Sequence, residues 1–408
     1  MSTLCIKCKG RGECGREYCP HILKSQAVSK IKHTLFKSEF SSASPAPFVG
    51  RIGYPNVNLG ILAPVKKTKD TYLYDAPREW AKDNYQIPKI VEFRSSLINS
   101  QALTNVKKTS KMLQINQEIA MASKPVDLDI TLEDKPRFHL NTQDVLAPTG
   151  PNASLLKADV TSNPKIARKV DRVFSDTDLL AVDGLTYLYD NNFDENFLTK
   201  ILSVGTLGMK KNRKLVPSRW SITAVDDTLG KHLHKKILDN TQLDEHLAFF
   251  SGYIGNYYLV MMFPGCYGYE LFECYMPKAS WNTKDSLDFS TDHEFYQGRK
   301  TYAGNCAGGY YSVRLVVLEK LKEMKRQATA VVIRVITGEY SSPLGVWVTR
   351  EASRKSLETK PLRFGSRELL LAYASSLVKK KFGQDISSIL DKSVLIRNIK
   401  TQRRLFDY

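Results

Sequence analysis

The sequence predicts a mixed α+β fold, because helical and strand patterns alternate along most of the 408 residues. The segment from Gly309 to Lys325 is rich in aliphatic side chains early and in Lys/Glu pairs late, which is typical of an amphipathic helix. The segment from Ala328 to Ile336 is a nearly continuous β-branched run, which is typical of a strand buried on both faces. Both patterns recur, so we expect an α/β body in which helices and strands mix.

Further elements follow in chain order. Helical spacing of apolar residues predicts helices over Gln101–Ala122, Asn163–Val173, Asp194–Leu202, Thr223–Leu238 and Ser366–Lys381, the last ending at Gly383. Strand patterns cover Val126–Leu132, Leu179–Tyr189, Ala248–Phe263, Tyr267–Met276 and Leu344–Thr349. The dipeptide Pro264-Gly265 is typical of a turn, so we expect a hairpin between the strands on either side of it.

Changes in composition mark the limits of the body. Ser25–Pro47 is basic, Ser-rich and closed by prolines, so we interpret residues 25–47 as a basic arm and linker and begin the body at Phe48. The polar, acidic stretch Asn282–Gly298 divides the body into residues 48–281 and 282–391. Residues 392–408 remain as a flexible C-terminal tail.

Cysteine spacing predicts a small zinc knuckle in residues 1–24. Cys5, Cys8, Cys14 and Cys19 form a CxxC-x5-C-x4-C arrangement, in which a CxxC turn brings two thiolates to one tetrahedral Zn²⁺ and the second pair completes the site. His21 is an alternative ligand. Disulfides are the other interpretation, but no secretory signal precedes the first cysteine. We therefore expect a structural zinc ion.

The composition favours a polyanionic partner. The chain carries 60 Lys and Arg against 42 Asp and Glu, a formal net charge of +18, which is typical of proteins that bind nucleic acid. Lys24 and Lys32 of the arm are predicted phosphate contacts, so we expect DNA binding without sequence preference. No stretch is apolar enough to span a membrane, which predicts a soluble, cytoplasmic protein with no membrane partner. Cys266, Cys274 and Cys306 lie among apolar residues and are predicted to be buried free thiols, with reactive thiols as the alternative.

Arginines in four motifs are predicted to bind phosphate. Glycines let a backbone approach a ligand closely, and a guanidinium holds phosphate through two parallel hydrogen bonds. The four are Arg51 between the glycines of FVGRIGYP, Arg219 before the tryptophan of SRWSITAVDD, Arg314 after the glycine pair of GGYYSVR, and Arg334 within a buried strand. The alternative is an exposed turn residue or an ordinary ion pair, with Glu339 or Glu270 as the partner of Arg334.

Three carboxylates and one histidine are candidates for catalysis. Asp226, Asp227 and Glu270 would hold a divalent metal, and His293 would act as an acid or base beside arginines that hold phosphate. The alternative for the two aspartates is structural. They would lie in the first turn of a helix capped by Ser221 or Thr223, where their negative charges interact favourably with the helix dipole.

The last residues resemble the PCNA-interacting peptide, by which replication and repair proteins bind the sliding clamp. Gln402, Leu405 and Tyr408 are three residues apart, so on one turn of a tight helix the two apolar side chains share a face with the amide at its edge. Phe406 stands in for the second of the two adjacent aromatics in the usual pattern. The alternative is an amphipathic tail that folds back on its own domain.

Taken together, these motifs resemble the archaeal Nre family of PCNA-associated DNA repair proteins. The resemblance rests on the four cysteines, FVGRIGYP, SRWSITAVDDTLG, GGYYSVRLVVLEKL, EYSSPLGVWVTRE and the C-terminal motif, and it covers Cys5 to Tyr408. It implies a DNA damage repair factor with a zinc-finger N-terminus that is tethered to PCNA, and the basic composition adds the expectation that this factor binds DNA. It brings no catalytic residues. The alternatives are a metal-dependent nuclease or nucleotide phosphohydrolase, using a second divalent metal or a nucleotide, and a zinc-containing RNA-binding protein.

Overall fold

The computed structural model describes residues 38–136, 149–277, 279–282, 284–306 and 308–401, together with residues 8, 11, 19, 22–23, 25–26 and 29. This part of the chain contains two six-stranded mixed sheets and 12 α-helices, which confirms the α+β class. The chain divides into two compact units, residues 1–229 with 342–345 and residues 230–341 with 346–408. Among the described residues, no helix combines the length and hydropathy that a bilayer crossing requires.

The first unit is built on a sheet with strand order β1-β5-β6-β4-β3-β2. Its strands are β1 (Glu39–Ser44), β2 (Ala46–Val49), β3 (Asn56–Pro64), β4 (Leu97–Asn105), β5 (Val126–Leu132) and β6 (Asn152–Val160). β4 and β6 pair in parallel, and the other neighbours run antiparallel. Alternate residues along the strands, among them Ile61, Leu128 and Ile130, form one buried core.

Helices complete the first unit. They are α1 (Pro77–Lys82), α2 (Ile87–Ser95), α3 (Lys111–Met121), α4 (Arg168–Ser175), α5 (Ala181–Asp190), α6 (Glu195–Ser203) and the first part of α7 (Ser218–Ile237). Short 3-10 helices cover Thr71–Asp75 and Lys210–Asn212. Ile115 and Ile119 are one helical turn apart on α3 and pack into the sheet core, so α3 covers one face of the sheet.

The second unit is built on a sheet with strand order β10-β9-β11-β8-β7-β12. Its strands are β7 (His246–Tyr253), β8 (Asn256–Phe263), β9 (Gly268–Tyr275), β10 (Asp288–Glu294), β11 (Thr329–Ile336) and β12 (Leu362–Phe364). β11 pairs in parallel with β9 and antiparallel with β8. Every residue of β11 is buried, as expected for a central strand covered on both faces.

Helices cover this sheet. They are α8 (Tyr310–Met324), α9 (Trp347–Leu357), α10 (Arg367–Phe382), α11 (Ser387–Lys392) and α12 (Val394–Thr401). Phe272 and Ile333 of the sheet form a buried core with Leu370 of α10, Ile389 of α11 and Leu395 of α12. Three successive helices therefore pack on the same face.

Two segments predicted to be strands are helices. Residues Leu179–Tyr189 contain α5, in which the buried Leu185 and Leu188 lie three residues apart on one helix face. The predicted strand Leu344–Thr349 overlaps the start of α9. The completely buried Val348 and Ala352 of that helix are one turn apart. Short apolar runs such as these do not distinguish a strand from a buried helix by themselves, and the helical period over the longer segment decides the structure.

The hairpin predicted around Pro264-Gly265 is wrong, because β11 lies between β8 and β9. The strand predicted over Ala248–Phe263 is two strands, and these form a hairpin that turns at Ile254 and Gly255. Both turn residues have positive φ, 50° and 65°, which is the geometry of a two-residue hairpin turn.

Several predicted boundaries differ from the structure. Residues 394–401, predicted as part of the flexible tail, form α12, and its Leu395 and Ile396 are buried in the core of the second sheet. Residues 39–44 and 46–49 are strands of the first sheet, although the sequence was interpreted as a linker up to residue 47. The Ser-rich composition misleads here because the hydroxyls of Ser42 and Ser44 donate to the carbonyls of Pro64 and Leu62 inside the sheet. The helix predicted over 101–122 begins only at Lys111, after β4 has ended.

Candidate functional site

A rigid loop at one end of the first sheet carries Arg51. The loop connects β2 to β3 and contains a turn in which Asn56 N donates to the Gly53 carbonyl at 2.9 Å. Gly53 has φ +82°, and a Cβ on it would lie 2.8 Å from the Asn56 oxygen, so this turn requires glycine. Val106 N, just after β4, donates to the Pro55 carbonyl at 3.0 Å. The loop is therefore held from two sides.

The beginning of α7 lies beside this loop. Val49 N donates to Ser218 Oγ at 3.0 Å. The rings of Tyr54 and Trp220 are in contact, with centroids 5.2 Å apart and planes inclined by 50°. The structure thus brings the FVGRIGYP and SRWSITAVDD motifs together, and the arginines of both are exposed.

A further backbone contact adds lysines to the same region. Leu215 N donates to the Val106 carbonyl at 2.9 Å, which joins the chain around Lys214 to the chain around Lys107 and Lys108. We call the resulting surface the basic–aromatic patch. It consists of Arg51, Ile52, Tyr54, Lys107, Lys108, Lys214, Arg219 and Trp220, all of them exposed.

The segments that form the patch carry positive charge only. Residues 49–56, 105–111 and 213–220, which form it, contain no aspartate or glutamate. Within the described part of the chain, none of its arginines and lysines forms an ion pair. Exposed cations without acidic neighbours attract phosphate groups, and exposed aromatic rings among them offer faces for nucleobases.

Arg314 has a different environment, inside the second unit. Its Nε is 2.9 Å from Glu294 Oε1, and both side chains are buried. Glu294 also accepts hydrogen bonds from the hydroxyls of Tyr267 at 2.6 Å and Tyr310 at 3.1 Å. Burial raises the pKa of both tyrosines, so they remain neutral donors. A phosphate would have to displace Glu294 to reach this guanidinium.

Arg334 is paired across the second sheet. Its Nη1 donates to Glu273 Oε1 at 2.5 Å, and its Nε and Nη2 donate to Asn256 Oδ1 at 3.1 and 2.6 Å. The sequence indicated Glu339 or Glu270 as the partner, and this was wrong. In the parallel register of β9 and β11, Arg334 lies opposite Glu273.

Two carboxylates of β9 lie at the beginnings of helices. Glu270 accepts from Ser393 Oγ at 2.5 Å and from the next two backbone amides at 3.0 and 3.1 Å, so it caps α12. This role corrects its interpretation as a metal ligand. A Cβ on Gly309 would lie 2.4 Å from Glu273 Oε1, so the glycine before α8 admits a carboxylate of the protein itself.

The other predicted catalytic residues do not form a metal site with Glu270. Asp226 and Asp227 lie well inside α7, which begins at Ser218, so their placement in a first helical turn was wrong. Adjacent helical residues do not face each other, so the two carboxylates diverge. His293 packs edge-on against Phe295 at 5.2 Å. Among the residues that the structure describes, no three His, Cys, Asp or Glu side chains are grouped as metal ligands.

Comparison with known proteins identifies the family. The model for "Archaeal Nre, N-terminal" matches residues 14–282, and the model for "Archaeal Nre, C-terminal" matches residues 294–408. The chain belongs to the archaeal Nre family. The resemblance seen in the sequence motifs is thereby confirmed.

The Nre relatives match along most of their length. The DNA repair protein NreB of Archaeoglobus fulgidus is 35% identical over 404 residues, which is 99% of each chain. The DNA repair protein NreA of Haloferax volcanii is 38% identical over 329 residues, or 79% of this chain and 78% of the relative. NreA of Archaeoglobus fulgidus is 36% identical over 384 residues, or 93% and 95%. No solved structure matches this Nre chain.

The structure describes two of the four cysteines that the sequence predicts as zinc ligands. Cys8 and Cys19 are the two ligand candidates within the described residues, Cys8 buried and Cys19 partly exposed. Arg11 N donates to the Cys8 carbonyl at 2.7 Å. Cys5 and Cys14 lie outside the described residues. Four thiolates at this spacing would complete a closed tetrahedral site.

The remaining predicted residues of the Nre chain are three cysteines of the body and several residues near the two ends of the chain. Cys274 and Cys306 are buried, and burial raises the pKa of both thiols, whereas Cys266 is exposed and was predicted incorrectly as buried. The residues outside the described part are His21, Lys24 and Lys32 near the N-terminus and Gln402, Leu405, Phe406 and Tyr408 at the C-terminus.

Several patch residues were not predicted from the sequence. Tyr54 was part of a recognised motif but was not assigned a role, and Lys107, Lys108 and Lys214 were not singled out. Tyr54 has no local sign of its own, since its role depends on the contact with Trp220, which is 166 positions later in the chain. The lysines had no local sign, since only the contact between residues 106 and 215 brings them to the patch.

Proposed function

We propose that this Nre protein is a DNA repair factor that binds DNA through the basic–aromatic patch and is tethered to the sliding clamp PCNA by its C-terminal motif. The observation that carries the DNA part is the patch itself, in which unpaired Arg51 and Arg219 flank the exposed Tyr54 and Trp220. The names of the relatives, DNA repair proteins NreA and NreB, support the repair role.

The proposal includes a structural Zn²⁺ held by Cys5, Cys8, Cys14 and Cys19. Four thiolates with no open position serve folding, and such a knuckle supplies basic residues that can face phosphate. The C-terminal motif of Gln402, Leu405, Phe406 and Tyr408 supplies the tether. These parts are proposed from the sequence and from the family resemblance.

DNA binding by the patch depends on phosphate contacts. Arginine and lysine side chains on two loops and one helix start hold the backbone without reading base edges, so little sequence preference is expected. Each phosphate neutralised contributes about −0.7 to −0.9 to the slope of log affinity against log salt. Removing Arg51 and Arg219 should therefore weaken DNA binding and flatten this slope.

The test compares R51A/R219A with a matched pair of lysines. Lys124 and Lys165 are exposed on the same unit, and neither takes part in the patch. They lie close together just beyond the end of α3, where Ser123 N donates to the Lys165 carbonyl. The 11 residues of α3 separate them from Lys107 and Lys108 by about 16 Å along the helix axis. Fluorescence anisotropy with labelled DNA over a range of salt concentrations should show weaker binding and a shallower slope for R51A/R219A only.

Equal DNA affinities and equal salt slopes for R51A/R219A and K124A/K165A would contradict binding through the patch. An RNA of the same sequence serves as the second ligand in this assay. Stronger binding of the RNA at every salt concentration would favour the RNA-binding alternative over the repair factor proposed here.

A further inference from the structure

We propose that Tyr54 and Trp220 form a stacking platform for unpaired bases, so that the basic–aromatic patch prefers single-stranded or gapped DNA to intact duplex. This inference rests on the proposed DNA binding and specifies the form of DNA that is bound.

The exposure of the patch residues is the first observation. Ile52 is 87% exposed, Trp220 46% and Tyr54 42%. Three large apolar side chains that share one small surface are costly in water and are typical of a site that another molecule covers. The cations around them indicate that this molecule is a polyanion.

The geometry of the two rings is the second observation. Their planes are inclined by 50° at a centroid distance of 5.2 Å, so the rings meet at an angle and do not cover each other face to face. Each ring keeps surface that a planar base can contact. In an intact duplex both faces of a base are already covered by its neighbours, so only unpaired bases can use this surface.

The rigidity of the site is the third observation. The turn at Gly53 and the hydrogen bonds from Val106 to Pro55 and from Val49 to Ser218 fix the loop and the helix that carry the rings. Asn105 Nδ2 also donates to Asn56 Oδ1 at 2.9 Å across the base of the loop. A platform that is already in place loses little conformational entropy when a base stacks on it.

The patch also offers cationic side chains to the phosphate backbone of a bound DNA single strand. Arg51 lies three residues before Tyr54, and Arg219 directly precedes Trp220, so each ring has a guanidinium close to it in the chain. Lys214 and the pair Lys107 and Lys108 lie on the neighbouring segments. Stacked bases with flanking phosphate ligands are the general arrangement by which proteins bind single strands without sequence preference.

The experiment measures affinity for a thymidine oligonucleotide and for a blunt duplex with the same number of phosphates. We expect Y54A/W220A to lower affinity for the single strand by about 5- to 150-fold per stacked base lost, while affinity for the duplex stays within about twofold, since phosphate contacts remain. Tyr72 is 47% exposed on the same unit and provides the control Y72A, which should bind both ligands as the unmodified protein does.

Two further variants make the outcomes decisive. Y54F/W220F keeps both aromatic faces and should bind the single strand nearly as the unmodified protein does. Retained duplex binding by Y54A/W220A would show that the alanine variant is folded. R51A/R219A should weaken both ligands. Equal losses for single strand and duplex in Y54A/W220A, or no loss for either, would overturn the stacking platform and leave DNA binding by the patch intact. Absence of binding to both DNA forms by the unmodified protein would overturn the proposed function itself.

Discussion

His234, near the end of α7 in the second unit, is held in a buried polar setting. Its ring packs against Tyr267 with centroids 4.7 Å apart, and its Nε2 is 3.0 Å from the Tyr296 carbonyl, so the neutral ring donates from Nε2. Burial lowers the pKa of His234, Glu294 and the Tyr296 carbonyl oppose this shift, and Arg314 adds to it. Folding therefore favours the uncharged imidazole.

This setting predicts a pH dependence of stability. Because the pKa of His234 is lower in the folded than in the unfolded protein, the unfolded chain binds the proton more tightly. The free energy of unfolding should thus decrease as pH falls below about 6.5, the ordinary histidine pKa. Urea unfolding at several pH values should show a smaller decrease for H234Q than for the unmodified protein. Identical decreases would assign the dependence to other groups.

The partners of buried charges could not be read from the sequence, for a physical reason. Arg334 was predicted to require a carboxylate partner, and the structure confirms the need. Glu273 is 61 residues away in the chain and meets Arg334 only through the register of β9 and β11. That register depends on packing over both faces of the sheet, which no local pattern contains.

Single elements were predicted well where their signals are local. The strands β5 and β11 and the helices α8 and α10 lie where periodicity placed them, and Gly383 ends α10 with φ +69° as a helix-terminating glycine. Local signals do not determine which strands pair, as the wrongly predicted hairpin around Pro264-Gly265 shows. Two strands with a turn between them were assigned to each other, although β11 from much later in the chain occupies the place between them.

The N-terminal knuckle yields a prediction at the scale of an element. Purified, reduced protein should contain one Zn²⁺ per chain, and C8S should lose it, because a structural zinc site contributes on the order of 10 kcal/mol to local folding through its complete ligand set. The control is C266S, since Cys266 is an exposed free thiol outside the knuckle. Elemental analysis of the three proteins decides the question. Protein without zinc, or zinc retained in C8S, would refute the four-thiolate site.

The melting temperature of the body provides a second measurement on the same variants. The two sheet cores consist of residues outside the first 24, so C8S should keep the main thermal transition of the unmodified protein. Loss of that transition in C8S would mean that the knuckle stabilises the body as well as itself.

For the whole molecule, the sequence places the two proposed interactions at different positions of the chain. The residues of the basic–aromatic patch lie between positions 51 and 220, in the first unit. The clamp motif follows α12 of the second unit in the chain. Glu270 caps α12, and Leu395 and Ile396 of this helix are buried in the sheet core. The motif therefore begins directly after an anchored helix. If the motif binds PCNA as proposed, so short a tether would keep the protein at a high effective concentration on clamp-bound DNA.

This arrangement predicts that clamp binding and DNA binding can be separated. Burial of Leu405 and Tyr408 would supply roughly 1.5–3 kcal/mol each, so L405A/Y408A should lower affinity for PCNA on the order of 100-fold or more. D407A changes a polar residue of the same tail and should bind PCNA as before. Calorimetry with purified PCNA gives the affinities, and anisotropy should show that all three proteins bind DNA equally. Unchanged PCNA affinity in L405A/Y408A would favour the alternative in which the tail packs on its own domain, and a parallel loss of DNA affinity would mean that the tail belongs to the DNA site.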